Sequence, residues 1–158
     1  MKFKHIVTSA VLATAFVGTS VQADITLRHA LLGSVLDMSY AKKGGNTPAF
    51  KEFMKEGRNP YNTDKEAIEQ GHSLYMTGCS GCHGHEAEGK IGPGLADDYW
   101  TYPSIATDKG LFEVLFGGAN GMMGPQYVNF NTDEMLKIMA WTRSIYTGKP
   151  KKAKWLKK

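Results

Sequence analysis

Cys79-Ser80-Gly81-Cys82-His83 is the stretch on which the reading of this chain turns. Residues three apart on a helical turn face the same way, so sulfurs at 79 and 82 can add to the two vinyl groups along one porphyrin edge. The histidine that follows at once then brings its imidazole beneath the ring to bind iron. C-x-x-C-H is accordingly read as the attachment site of one haem c, covalent through Cys79 and Cys82, with His83 as an iron ligand. A redox dithiol of the thioredoxin type would need a βαβ context, which the flanking pattern lacks. A tetrahedral zinc site would need further cysteines or histidines at finger spacing. With only two cysteines in the chain, a disulfide scaffold is excluded.

A haem c electron carrier keeps both axial positions filled, and methionine is the usual sixth ligand because a thioether favours ferrous iron. The methionines after the motif are Met122, Met123, Met135 and Met139. The last two repeat at helical spacing with Ile138 and Ile145 and read as core filler. Met122 and Met123 lie instead in Gly117-Gly118-Ala119-Asn120-Gly121-Met122-Met123-Gly124-Pro125, where glycines allow close approach to a flat cofactor and Pro125 stiffens the exit. The loop lacks the lysine and hydroxyl of a phosphate cradle. Met123, just ahead of Gly124-Pro125, is preferred to Met122 as the metal ligand. His85, two residues past His83, reads as solvated, and His29 and His72 as ordinary surface or core histidines.

Working outward, the 158 residues are 42% hydrophobic and 22% charged, which suits one domain and excludes wholesale disorder and a multi-span membrane protein. The formal charge of +4 hides an uneven distribution. Asp24–Gly148 holds eleven basic residues against all fifteen acids, a formal charge of −4, while Lys149–Lys158 carries six lysines and no acid. An acidic body with a basic tail excludes a nucleic-acid binder, whose cations must be arrayed over a folded face. Residues 1–23 read as a cleaved signal peptide: Lys2 and Lys4, the apolar run Ile6–Val21, and Val21-Gln22-Ala23 as the cleavage site. The alternative, an uncleaved anchor, suffers from a run shorter than a spanning helix and broken by Thr, Ser and Gly. The mature chain is then expected in the periplasm, with no membrane span.

Coarse element signals fill in the rest. Thr47-Pro48 opens a short helix closed by Gly57, with Phe50, Phe53 and Met54 as its buried stripe. Asn59-Pro60-Tyr61-Asn62 is a turn. Thr63-Asp64-Lys65-Glu66 reads as a capping box, starting a helix from about Asp64 to Met76 that leads into the haem motif. Thr107 caps a helix through Phe116, and Asn131 or Thr132 starts a last one to about Tyr146. Asp24–Tyr40 is either a short hairpin or an irregular wrap. The domain division is an N-terminal extension over 24–62, a haem-binding domain over 63–148 and a disordered basic tail over 149–158.

Helices around C-x-x-C-H with a later methionine loop resemble the class I c-type cytochromes. Gly71 and Tyr75 stand where that family packs its first helix against an aromatic of the last, here Trp141. Pro93 matches the proline whose carbonyl takes the ligand histidine's Nδ1–H. Four stretches narrow the resemblance: Cys79–His85, Gly92-Pro93-Gly94-Leu95, Tyr99-Trp100-Thr101-Tyr102-Pro103 and the loop Gly117–Pro125. Together they are similar to the cytochrome c-L family, the periplasmic electron acceptors of pyrroloquinoline-quinone (PQQ) methanol dehydrogenases. Thr26-Leu27-Arg28-His29-Ala30 is similar to that family's N-terminal extension.

The resemblance implies an all-α class I cytochrome c fold of about three to five helices around one covalent haem. It implies that Pro93, Leu95, Trp100 and Tyr102 line the cofactor, the two aromatics near the haem propionates, and that the methionine loop flanks the distal face. The implied role is a one-electron carrier rather than an enzyme, taking electrons from a PQQ-dependent methanol dehydrogenase and passing them to a second c-type cytochrome. Two rival readings remain: a carrier for another periplasmic oxidoreductase, and an open-site haem sensor or peroxidase. The lysine tail departs from the family pattern and reads as a solubilising end in preference to a docking arm.

Overall fold

Helices begin where the sequence supplies caps. The computed structural model describes residues 23–156 and holds, among them, five α-helices and no strand. The expected signal peptide at 1–23 lies outside the described residues apart from Ala23. Helix α1 (Pro48–Glu56) has Pro48 in its first turn and the Thr47 hydroxyl accepting from Phe50 N–H at 3.3 Å. Helix α2 (Lys65–Gly78) is capped by Asp64, whose carboxylate accepts from Ala67 N–H at 3.1 Å. The capping box expected at Thr63–Glu66 is therefore corrected: Thr63 completes the 3-10 turn Pro60–Thr63, and the cap falls one residue later.

A bend at Cys79 separates α2 from the single turn α3 (Ser80–His83). Thr107 caps α4 (Asp108–Gly117) by accepting from Gly110 N–H at 3.0 Å. Asn131 begins α5 (Thr132–Ser144) with a true capping box, in which Glu134 N–H donates to Asn131 Oδ1 (3.0 Å) and Asn131 N–H to Glu134 Oε2 (2.7 Å).

The α2 and α5 helices cross in contact, backbone against backbone. A β-carbon at Gly71 would overlap the Lys137 carbonyl, so only glycine lets the two helices approach so closely. Beside that crossing the Tyr75 ring lies 4.2 Å from Trp141, as expected for the family, and His72 stacks on the same indole at 4.9 Å. Met135 and Met139 are fully buried with Phe53, Tyr75, Phe112, Phe116 and Leu136. Each such side chain contributes about 1.5–3 kcal/mol by leaving water. Core duty for these two methionines leaves the loop methionines as ligand candidates.

The segment Asp24–Tyr40 is an irregular wrap. One antiparallel bridge, Arg28 to Val35, closes its turn, and Leu27 and Leu36 enter the core shared by Phe53, Tyr75 and Met139. Ile25 N–H donates to the Met54 carbonyl (2.6 Å) and Arg28 N–H to Glu113 (2.7 Å), so the extension is tied to both α1 and α4.

The disordered tail expected from residue 149 is also corrected. The chain folds through Leu156 as two 3-10 turns, Pro150–Lys152 and Lys154–Leu156, with Ala153 and Trp155 buried. The Trp155 ring centre lies 3.6 Å from the Arg143 guanidinium, and Lys152 Nζ reaches Asp98 Oδ2 at 3.3 Å. A desolvated cation–π pair is worth about 2 kcal/mol, and one buried indole adds to it, so a single aromatic overrides the lysine-rich composition. Arg143 is the hub of this end: it donates to Asp108 Oδ1 (3.2 Å) and to the carbonyls of Ile105 (2.6 Å) and Thr107 (3.1 Å). Burial pulls its pKa down to about 10, so beside Asp108 it stays charged at neutral pH.

Candidate haem site

The bend at Cys79 shapes the site. Cys79 leaves helical geometry (φ −121°, ψ −34°), and both Cys82 N–H and His83 N–H fold back onto its carbonyl at 3.1 and 3.0 Å. Cys79 and Cys82 are not bridged to each other, Cys79 half-buried against the core and Cys82 exposed. Burial, with Cys82 beside it, pushes the Cys79 thiol up to about 11. A redox-active dithiol works through the opposite shift. Among the described residues no three His, Cys, Asp or Glu side chains cluster as a metal site of their own would require.

His83 is buried, and its Nδ1 stands 2.8 Å from the Pro93 carbonyl oxygen. A carbonyl only accepts, so the ring proton sits on Nδ1 and the Nε2 lone pair is left for a metal. The loop that supplies Pro93 is pinned along its length. Gly89 N–H donates to the His83 carbonyl, Gly92 N–H to the Cys82 carbonyl and Leu95 N–H to the Ala87 carbonyl, each at 2.8 Å. The Tyr75 hydroxyl donates to the Gly84 carbonyl at 2.7 Å. Gly92 lies flat on the imidazole: a β-carbon there would stand 2.7 Å from His83 Cε1 and 2.9 Å from Nδ1. Leu95 is half-buried and packs on the core near this loop's end.

The structure separates the two loop methionines. Met122 is 80% exposed, whereas Met123 is half-buried and packs against the core. Gly118, at φ 85° and ψ 174°, turns the chain out of α4, in a region that only glycine occupies at little cost. Ala119 N–H then donates to the Met123 carbonyl at 2.9 Å, closing the loop's neck.

The other expected cofactor residues fall apart into two places. Trp100 stacks on Tyr146 (5.9 Å) and meets Trp155 edge to face (5.8 Å), with its buried indole N–H unpaired among the described residues. Tyr102 joins the methionine loop instead, its hydroxyl oxygen accepting from Asn120 N–H at 2.8 Å. His85 is exposed, and His29 Nδ1 accepts from Leu31 N–H at 3.2 Å, a local turn contact. Reading residue by residue did not anticipate the Tyr75 hydroxyl bond, the Gly92 contact or the Arg143–Trp155 pair. A lone tryptophan among lysines was the one visible signal for the last.

Two thiols on one turn, an imidazole with Nε2 free and a thioether on a separate loop form the donor set that haem c requires, and the residues fit that group. The comparisons agree with the chemistry. A family model described as cytochrome C oxidase, cbb3-type, subunit III matches residues 66–141. Cytochrome c-L of Methylorubrum extorquens is 54% identical over 136 residues, 85% of this chain and 69% of that protein. Two crystal structures align with a TM-score of 0.81 each. Cytochrome CL of the marine methylotroph Methylophaga aminisulfidivorans is 59% identical, over 84% of this chain and 88% of that one. Cytochrome cL of Hyphomicrobium denitrificans is 49% identical, over 85% and 81%. Identity of this depth across most of both chains carries more than shared helices would: this protein belongs to the cytochrome c-L family, haem-c electron carriers rather than enzymes.

Proposed function

We propose that this protein is a periplasmic one-electron carrier that accepts electrons from a PQQ-dependent methanol dehydrogenase and passes them to a second c-type cytochrome. The observation that carries the reading is the His83 imidazole held by Pro93 at the end of the turn that Cys79 and Cys82 begin, in a chain with cytochrome cL relatives over 84% and 85% of its length. One haem c, linked through Cys79 and Cys82 and ligated by His83 and Met123, supplies a single-electron couple when bound.

The chain's residues set the conditions for that couple. Pro93 fixes the imidazole tautomer and the ring plane, and the pinned loop from Gly84 to Leu95 holds Pro93 in place. Met123 gives a soft sixth donor that favours the reduced form. Leu95 walls the site with apolar surface, and Trp100 and Tyr102 are assigned to its rim. Residues 1–23 are assigned as the export signal. Among the described residues no helix is long and apolar enough to cross a membrane. The folded tail brings four lysines onto a body of formal charge −4, so residues 24–156 carry fifteen basic side chains against fifteen acids and net charge alone does not steer docking.

Stopped-flow reduction of the ferric holoprotein by methanol-reduced PQQ methanol dehydrogenase tests the reading, with a glucose-type quinoprotein in parallel. Fast, saturable reduction by the first enzyme alone is expected. Equal reduction by both, or none by either, would overturn the assignment and leave a carrier for another oxidoreductase.

A further inference from the structure

The methionine loop is braced mainly by itself. Its neck closes through Ala119 and Met123, and Gly124 N–H donates to the Met122 carbonyl at 3.1 Å. At its tip Asn120, Gly121 and Met122 are all exposed. Among the described residues one hydrogen bond reaches that tip from a distant segment: Asn120 N–H donates to the Tyr102 hydroxyl at 2.8 Å.

Tyr102 is itself well anchored. It leads into the 3-10 turn Pro103–Ala106, where Ile105 N–H donates to the Tyr102 carbonyl at 3.0 Å, and the Ile105 carbonyl receives Arg143 at 2.6 Å. Two residues earlier, Trp100 is wedged against Tyr146 and Trp155. The Tyr102 backbone is thus anchored, and the loop tip it meets is exposed.

We infer that Tyr102 is a positioning residue for Met123: its hydroxyl holds the methionine loop shut and so sets how readily an outside ligand takes the thioether's place. The inference rests on Met123 being the sixth ligand. An external ligand can enter only while the loop is open. Removing one ordinary hydrogen bond from the closed state raises the open fraction roughly three- to tenfold.

Cyanide binding to the ferric holoprotein, followed by stopped flow, tests this with three variants. Tyr102→Phe should bind cyanide roughly three- to tenfold faster than the parent while keeping its six-coordinate resting spectrum. Tyr61→Phe is the control. It removes a hydroxyl that donates to Asp133 at 2.8 Å, away from the loop, and should leave the cyanide rate unchanged whatever it does to melting. Met123→Ala should bind fastest and lose the resting spectrum. A Tyr102→Phe rate equal to the parent's overturns the positioning role while the ligand assignment stands. A Met123→Ala protein that keeps the parent's spectrum and slow rate overturns the ligand assignment itself, and the inference falls with it.

Discussion

The segment that carries His83 and the segment that carries Met123 are held in opposite ways. On the histidine side, the loop from Gly84 to Leu95 bonds back to Cys82, His83 and Ala87, Tyr75 reaches in from α2, and Pro93 grips the ring. The histidine is over-determined, so losing any one bond leaves the others. On the methionine side the loop is closed by its own neck, exposed at its tip and steadied from outside by Tyr102. The contrast is one of support: the His83 segment is tied at many points, whereas the Met123 segment is tied at its own neck and by one outside hydroxyl.

The largest effect should come from removing what both sides share. Asp108 is buried and accepts from Asn59 N–H (2.9 Å), Asn62 (2.8 Å) and Arg143 (3.2 Å), which joins the extension, α4 and α5. Asp108→Ala leaves Arg143 buried without its counter-charge and should cost about 3–5 kcal/mol. Urea unfolding measures this, and the haem spectrum and cyanide rate should change together; a change on one side only would break the idea of a common frame.

Two glycine substitutions sharpen the contrast. Gly92→Val drives side-chain atoms onto the His83 ring and should cost about 1–3 kcal/mol, with a disturbed histidine ligation in the ferric spectrum. Gly118→Ala places a β-carbon 2.9 Å from the Met123 carbonyl at a backbone angle of φ 85°, a strain of about 1–2 kcal/mol. Its signature should be faster cyanide entry with histidine ligation intact. Identical spectral changes in the two variants would show that the sides are not independently held.

The smallest effect lies away from both loops. Burial raises the Asp133 pKa, but hydrogen bonds from Thr47, Lys137 and Tyr61 outweigh it and hold the carboxyl below the usual range. Its contribution is therefore complete above about pH 4 and lost as pH falls through the lowered value. Thermal melts of the parent and Asp133→Asn should differ at neutral pH and converge in acid, with the resting haem spectrum the same in both.

Local chemistry explains what was legible beforehand. Cys79, Cys82 and His83 are read from spacing on one turn, and Thr47, Thr107 and Asn131 cap their helices through side chains only two or three residues away. Thr63 misled because Thr63 and Asp64 are both competent caps, and the turn from Pro60 decided between them. The Tyr102–Asn120 bond spans 18 residues and ends on a backbone amide, which leaves no trace in composition. Trp155 was hidden among lysines because its partner, a buried arginine on α5, looks in sequence like any solvated charge.

That last pairing also has a temporal side. Chains are made from the amino end, and Trp155 lies twelve residues beyond Arg143. The residues of all five helices are therefore synthesised before Trp155 is. A truncation just after Ser144 would keep every α-helical residue yet strip Arg143 of the nearer of its two aromatic neighbours, leaving Trp100 alone over a buried ion pair at the α4–α5 seam.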